Sequence, residues 1–485
     1  MSSPLIINEA LVRSVVEEVV RAFGRSAAAP QGAPAIVSST GARHFGVFQD
    51  VPSACRAAQD AFDQLRLKGV AGRAKVVEIV KAIVTEKAVE WGKFEFAETK
   101  IGRLDHKIEK LQIVKLVPGV EWLRPDAHSG DHGITLEEFT PFGVIAAILP
   151  MTHSIPTLSG NIINIVAAGN SVIFNPHPGG ARSAALAVRT YNEAIHAALG
   201  IENLICVIEK PTLESFDALC KAPEVKVLCV TGGPAVVAAA MKSGKRAICA
   251  GPGNPPVLVD DTVDLNKAAR DIITGAAYDN NLLCVGEKEV FVLDSVADKL
   301  MAALSRNGAR ALNSNQLDQL TKVAFSTKAD AGGCSHPVLN RCFVGIDATV
   351  LAQRAGTTVP DGTQLLFAET DANHAFVIEE QMMPMLPIVR VKSVEEGVQA
   401  AQRAEHGYKH SAIIHSLNVD RITTMARALD TTLFVKNGAS TCGLGLGGEG
   451  YLSYSIATTT GEGITNPKTF TRTRRCVMVD QLRIY

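Results

Sequence analysis

The feature that most constrains this 485-residue chain is a change of texture at Phe142. From there, short β-branched runs alternate with Ala-rich amphipathic stretches: GVIAAILP, SGNIINIVAAGN, SVIFNP, SAALAVRTYNEAIHAAL, LICVIE, VKVLCVTGG and AVVAAAMKSG. Alternation at this pace predicts crossover units and a parallel, doubly wound sheet, because a parallel strand must be reached through a helix on the sheet face. Such a sheet opens a ligand crevice at its strand ends. A second α/β unit is read from Arg246 (AICAGPGNPPVLVD) through DLNKAARDIITGAA and EVFVLD to FVKNGA near 434. Before the alternation, residues 52–117 carry helical i, i+3, i+4 spacing and predict two or three surface-packed helices. The last stretch, from about Gly463, is Thr/Arg-rich and ends in a strand-like CVMVD, the kind of end that pairs with a neighbouring subunit's sheet edge.

The N-terminus reads differently. Val12, Val15, Val16, Val19 and Phe23 recur at helical spacing opposite Arg13, Glu17, Glu18 and Arg21, with Asn8 placed to cap the helix and Gly24 to end it. SAAAPQGAP (26–34) follows, small and uncharged, and reads as a tether. Two readings stand: the first helix of the fold, or a helix on a leash that docks in a partner's groove.

Charge bounds the partners. With 48 Lys plus Arg against 49 Asp plus Glu, the formal charge is −1, so no net field concentrates nucleic acid or an anionic membrane. No apolar run reaches 18 residues, and the N-terminal residues lack a basic region followed by an apolar run and cleavage site, so neither membrane insertion nor secretion is expected. Ten scattered cysteines show neither CxxC nor Cys/His spacing for a metal site, and most read as buried small side chains in a reducing cytoplasm. The exception is Cys284. It follows the polar turn Asp279-Asn280-Asn281 and precedes small residues, which puts a thiol at the mouth of a loop where backbone N–H groups can stabilise a thiolate and an oxyanion.

In order and spacing, ILPMTHSIPT (148–157), IVAAGNSVIFNPHPG (165–179), CVTGGPAVV (229–237), AGPGNPP (250–256), DNNLLC (279–284), EEQMMPMLPIV (379–389), EHGYKHSAIIHS (405–416) and the GLGGEG and TTGEG segments near 446–463 resemble the aldehyde dehydrogenase superfamily. Within it the chain resembles the coenzyme-A-acylating branch, typified by the propionaldehyde dehydrogenases of bacterial microcompartments, and the likeness runs from about residue 45 onward. The resemblance implies an α/β aldehyde dehydrogenase-like fold. Its parts are a targeting helix (1–24), a flexible linker (25–44), a Rossmann-type NAD-binding domain (45–245, with an oligomerisation hairpin at about 118–140), a catalytic domain (246–440) and a return to the cofactor domain with a C-terminal oligomerisation strand (441–485).

It also implies Cys284 as nucleophile, His410 as the base for the coenzyme A thiol, and Thr152 or its surroundings as a polariser of the aldehyde oxygen. The dinucleotide is expected against Ile148, Pro150, Asn175, His177, Thr231, Gly232, Gly233, Val236, Gly251 and Glu380, the last hydrogen-bonding the nicotinamide ribose. Asn175 replaces the lysine that contacts the adenosine ribose in many hydrolytic relatives, which favours NAD over NADP. His153 reads as a structural histidine before a substrate contact.

One departure from the hydrolytic pattern matters for the chemistry. Those enzymes carry a glutamate about 34 residues before the nucleophile to activate water; here that position is Ala250. Without a base for water, the acyl-enzyme awaits a thiol, which ionises far more easily. Glu287 or Glu380 as a substitute base is the alternative. The expected activity is oxidation of a short-chain aldehyde, propionaldehyde foremost, with NAD and coenzyme A. The expected setting is a homodimer or homotetramer in a bacterial cytoplasm, inside a microcompartment whose shell protein binds residues 5–23. The rivals are a hydrolytic aldehyde dehydrogenase and a shell-interacting protein with a vestigial enzyme fold.

Overall fold

The computed structural model describes residues 45–329 and 335–480. The expected targeting helix (1–24), the linker (25–44) and the extreme C-terminus lie outside the described residues. A short strand, β1 (Val47–Phe48), leads into a long helical stretch, α1 (Val51–Glu86). Its start is set by Asp50, whose carboxylate accepts the Ser53 N–H, with proline in the first turn. The stretch is really two helices broken at Gly69, where φ is +62°. Helices α2 (Ala88–Thr99) and α3 (Leu104–Gln112) complete the helical layer expected before Phe142. The hairpin β2 (Asp126–Gly130) and β3 (Gly133–Pro141) then projects from the body.

The alternating region forms the expected parallel sheet. It contains β4 (Val144–Leu149), β5 (Ser171–Pro176), β6 (Ile205–Ile208), β7 (Val225–Thr231) and β8 (Arg246–Ala250). With β1 these make six strands in the order β1-β6-β5-β4-β7-β8, all parallel. The sheet grows from β4 to one side through β5 and β6, and to the other through β7 and β8. The crevice of a doubly wound sheet therefore opens between the C-terminal ends of β4 and β7. Helix α4 (Ser154–Ala167) leaves the end of β4, and every one of its residues is buried. Its polar side chains are accommodated by bonds such as Ser159 Oγ to Ile155 O and to Tyr191 Oη.

The second sheet contains β9 (Pro256–Val259), β10 (Glu289–Leu293), β11 (Arg310–Ala311), β14 (Leu366–Thr370), β15 (Met385–Val391), β16 (Ser411–His415) and β17 (Leu433–Lys436). Between them a small hairpin forms from β12 (Phe325–Ala329) and β13 (Ser335–Leu339). The seven strands lie in the order β11-β14-β15-β10-β9-β16-β17, again all parallel.

One boundary differs from the sequence reading. Arg246–Ala250, read as the opening of the second unit, pairs in parallel with β7 and closes the first sheet. A strand's partner is a long-range matter that its own residues do not encode. The C-terminal strand β20 (Thr471–Val479), which follows the minor pair β18 (Ile456–Ala457) and β19 (Gly463–Ile464), is antiparallel to β3 of its own chain. The resulting three-stranded sheet, β2-β3-β20, exposes Val477 and Val479. Among the described residues, no helix is long and apolar enough to cross a membrane, and no group of three His, Cys, Asp or Glu side chains is placed to hold a metal.

Candidate active site

Cys284 lies in the loop before β10, half-buried. The approach to it is unusual. Asp279, Asn280 and Asn281 all adopt left-handed backbone conformations, with φ of 48°, 55° and 66°. Each such residue is disfavoured without a glycine, and Asn and Asp tolerate it best because short polar side chains can bond locally. Three in a row persist only if the surroundings over-determine them.

Each of the three is clamped by a different part of the molecule. Asp279 accepts the Arg103 N–H at 2.8 Å and pairs with Lys110 of α3 at 2.5 Å, while its own N–H donates to His106 Nδ1 at 2.8 Å. Asn280 Nδ2 donates to Gly345 O and to Asp347 Oδ1. Asn281 Nδ2 donates to Ala276 O and Glu287 O, and its carbonyl and side-chain oxygens both accept from Lys288 Nζ. Lys110 and Lys107 also donate to the carbonyl of Thr152, and Lys107 pairs with the buried Glu95. The turn carrying Thr152 and the turn leading to Cys284 are thus held by one set of buried ammonium groups.

His410 comes to Cys284 from the turn before β16. Gly253 lies between them: a Cβ there would stand 2.7 Å from the Cys284 carbonyl oxygen and 2.8 Å from His410 Cγ. Gly253 has no positive φ, so only this close approach demands glycine. His410 is buried, with Nδ1 2.8 Å from Ser411 Oγ and its backbone N–H donating to Glu405. Nε2 is buried and has no partner among the described residues. Burial, then the charge of Lys288, lowers its pKa from 6.5 to about 4, so the imidazole is neutral at pH 7. Burial pushes the Cys284 thiol up to about 12; Glu380 adds to that rise and Lys288 opposes it.

Three acidic or former acidic positions are now placed. Ala250 ends β8 and is buried, with no carboxylate to offer. Glu287 is fully buried and occupied, accepting the Ser440 N–H at 2.8 Å and the Ser440 hydroxyl at 2.7 Å, with its pKa raised to about 7 by burial. Glu380 is half-buried and acts electrostatically on Cys284 and Lys288, so it belongs to the same site rather than to a solvated helix edge. His153 is buried beside Lys110, Lys107 and Tyr454, with Nδ1 unpartnered among the described residues.

The nucleotide candidates gather at the crevice of the first sheet. Ile148 lies near the end of β4 and Pro150 just after it, and Thr231 closes β7, with its Oγ1 2.9 Å from Ser455 Oγ. Gly232 and Gly233 follow, Gly233 capping the helix Pro234–Lys242, whose half-buried Val236 faces the same turn. Neither glycine has a positive φ, and a Cβ on either would meet nothing closer than Val236 Cβ at 4.0 Å. The fold itself therefore does not require glycine there. Open space in front of bare backbone at a helix N-terminus fits the approach of a pyrophosphate. Gly251 passes close to the 458–460 turn, since a Cβ would stand 2.7 Å from Thr459 Oγ1. Asn175 accepts from Ser215 Oγ at 2.6 Å, and His177 Nδ1 accepts the Gly179 N–H, capping a short turn. A separate cavity of about 510 Å³, bounded by Lys81, Trp122, Tyr451 and Lys468, shares no residue with this site.

Residues 44–449 match the aldehyde dehydrogenase family. The chain belongs to that family. Among curated relatives, the acetylating acetaldehyde dehydrogenase EutE of Salmonella typhimurium is 44% identical over 441 residues, covering 90% of this chain and 93% of its own. The propionaldehyde dehydrogenase of Rhodopseudomonas palustris, solved with bound CoA and an acylated cysteine, superposes with a TM-score of 0.87 at 41% identity, covering 91% of this chain and all of its own (100%). A propionaldehyde dehydrogenase from the fucose-utilisation microcompartment of Clostridium phytofermentans gives 0.86 at 43% identity, over 91% of this chain and 100% of that one. As an aldehyde dehydrogenase, the chain carries the two-sheet architecture that the motif order implied.

Several residues of the site escaped the sequence reading. Lys107, Lys110, Glu95 and Lys288 have no motif of their own, and charged residues are far more often surface groups than buried clamps; Gly253 sits in the AGPGNPP motif, which does not show what it faces. The one available signal was the spacing of Lys107 and Lys110, which places both on one face of an amphipathic helix.

Proposed function

We infer that this aldehyde dehydrogenase is coenzyme-A-acylating, oxidising a short-chain aldehyde, propionaldehyde foremost, to the acyl-CoA with NAD as hydride acceptor. The observation that carries the reading is Ala250 at the position of a water-activating carboxylate, with Glu287 tied to Ser440, while a neutral His410 approaches Cys284 across Gly253.

The sulfur of Cys284 adds to the aldehyde carbon, and the Thr152 turn is the proposed polariser of the oxygen, a reading supported by the buried lysines that hold it together with the turn before Cys284. The nicotinamide, when bound at the crevice, supplies the acceptor for the hydride. Cys284 then holds the acyl group as a thioester. No carboxylate at residue 250 deprotonates water, so the thioester outlasts the oxidation. With Nδ1–H donated to Ser411, His410 Nε2 keeps its lone pair and takes the proton of the coenzyme A thiol. The new carbon–sulfur bond forms, the bond to Cys284 breaks, and Cys284 leaves as thiolate. Coenzyme A and the dinucleotide both end in adenosine diphosphate, which supports a shared crevice and ping-pong kinetics. The engaged Asn175 offers no cation to a 2′-phosphate, which supports NAD over NADP.

The remaining proposals concern setting. The amphipathic sequence pattern of residues 5–23 suits docking to a shell protein of a bacterial microcompartment in the cytoplasm, and the C. phytofermentans relative comes from one. The β2-β3-β20 sheet, with exposed edges, suits a homodimer or homotetramer.

The decisive experiment measures NADH formation from propionaldehyde with and without coenzyme A, with products identified by mass spectrometry. Propionyl-CoA should dominate, and omission of coenzyme A should leave one turnover per site. Free propionate at full steady rate would establish the hydrolytic alternative. Deleting residues 1–24 should abolish encapsulation and spare activity; Cys284→Ala should do the reverse.

A further inference from the structure

Lys288 is fully buried, four residues past Cys284 and just before β10. Its Nζ lies 2.9 Å from Asn281 O, 2.5 Å from Asn281 Oδ1 and 3.4 Å from Leu283 O. All three acceptors are neutral, and all belong to the residues that run directly into Cys284. Among the described residues Lys288 forms no ion pair, in contrast to the other two wholly buried lysines, Lys107 and Lys110, which pair with Glu95 and Asp279.

A buried ammonium without a counter-ion is costly unless a negative charge arrives. The charged and titratable groups facing it are Glu380 from the segment after the helix Ala375–Ile378, Cys284, Glu287 and Glu289 on its own loop and strand, and His410 from the turn before β16. Glu287 is engaged by Ser440. Glu289 is wholly buried, with both carboxyl oxygens unpartnered among the described residues, and burial pushes its pKa well up, with Lys288 opposing the rise. Glu380 acts on Lys288 electrostatically but forms no ion pair with it among the described residues. Burial lowers the Lys288 pKa, while nearby negative charge, that of Glu380 and of the Cys284 sulfur first, opposes the fall; an amine bonded to the nucleophile turn and held charged by that sulfur is placed to answer the charge that catalysis creates there.

We propose that Lys288 is a positioning residue with a second, electrostatic duty: its three hydrogen bonds hold the turn before Cys284, and its charge is the standing counter-ion of the Cys284 thiolate. The same charge disfavours protonation of His410, which keeps that imidazole able to accept a proton. The thiolate is thereby stabilised both when it attacks the aldehyde and when it leaves the thioester. This inference rests on Cys284 being the nucleophile.

Two substitutions separate the duties. Lys288→Gln keeps a hydrogen-bond donor for the carbonyls but removes the charge; Lys288→Met removes both. The readout is the rate at which iodoacetamide alkylates Cys284 in the full-length protein, followed against pH by peptide mass spectrometry. In Lys288→Gln the half-maximal pH should rise by about one unit or more, with thermal stability closer to wild type than that of Lys288→Met. A Lys288→Gln profile coinciding with wild type would overturn the proposal. If neither variant folds, the unmodified chain still decides. Anionic iodoacetate should gain at least about fivefold on neutral iodoacetamide at Cys284, relative to the exposed Cys342 of the same molecule, because a nearby fixed cation attracts the anion. Equal ratios at the two cysteines would overturn it. Failure of the underlying reading looks different: Cys284→Ala would retain acyl transfer.

Discussion

Lys110 and Asp279 form an ion pair at 2.5 Å with neither side chain exposed, and the pair links helix α3 to the left-handed turn that delivers Cys284. Removing one partner leaves an uncompensated buried charge. Lys110→Met and Asp279→Asn should each cost about 3–5 kcal/mol in chemical denaturation, whereas the double substitution should cost less than their sum. Because Lys110 also donates to Thr152 O, both single variants should lose kcat beyond what their folded fraction explains.

Gly253→Ala should act through sterics alone. Its backbone is not in the left-handed region, but the added methyl would press on Cys284 O and on the ring of His410 at under 3 Å. We expect the acyl-transfer rate to fall by about 100-fold, since misplacement by about 1 Å suffices for that, with a destabilisation of about 1–3 kcal/mol. Stopped-flow resolution of the hydride and acyl-transfer steps would show which step suffers; retention of both at wild-type rates would refute the close approach.

His410 links stability to pH with a definite sign. Its folded pKa is depressed, from 6.5 to about 4, so the unfolded chain binds the proton first on acidification. Its contribution is fully present above pH 6.5 and is lost as pH falls toward 4, amounting to roughly 3 kcal/mol over that window. Urea denaturation of wild type and His410→Gln at pH 7.5, 6 and 4.5 should give stability differences that shrink toward acid. At pH 7.5, His410→Gln should also trap acyl-enzyme in the presence of coenzyme A, visible as a mass increment on Cys284.

Ala250→Glu tests the logic of the missing base. The residue ends β8, next to the turn that runs through Gly253. A carboxylate there should raise coenzyme-A-independent turnover by about 10²-fold or more, the usual worth of a positioned general base, with free acid as product. A variant that folds, binds aldehyde and still makes only acyl-CoA would show that more than the carboxylate separates the two chemistries.

How much of this was legible in the chain varies by residue. The alternating runs from Gly143 to Gly244 specify local periodicity, so the parallel sheet and its crevice could be read directly, and Cys284 stood out because a polar turn and small residues interrupt the apolar pattern. The resemblance then ordered the motifs. β8 was assigned to the wrong side of a boundary because a short strand carries no mark of its partner. Glu380 and Glu287 are equally plain acidic residues in sequence, yet the charge of one acts on Cys284 while the other is tied to Ser440.

The sequence by itself determined the α/β class, the thiol at a loop mouth and the absent carboxylate at residue 250, because these are properties of spacing and residue type. Only the tertiary structure decided that three left-handed residues could be held in a row, that Gly253 must be bare, and that Lys110 has a counter-ion where Lys288 has none. Those outcomes depend on burial and on partners as far as 176 positions apart, for which a linear pattern contains no signal.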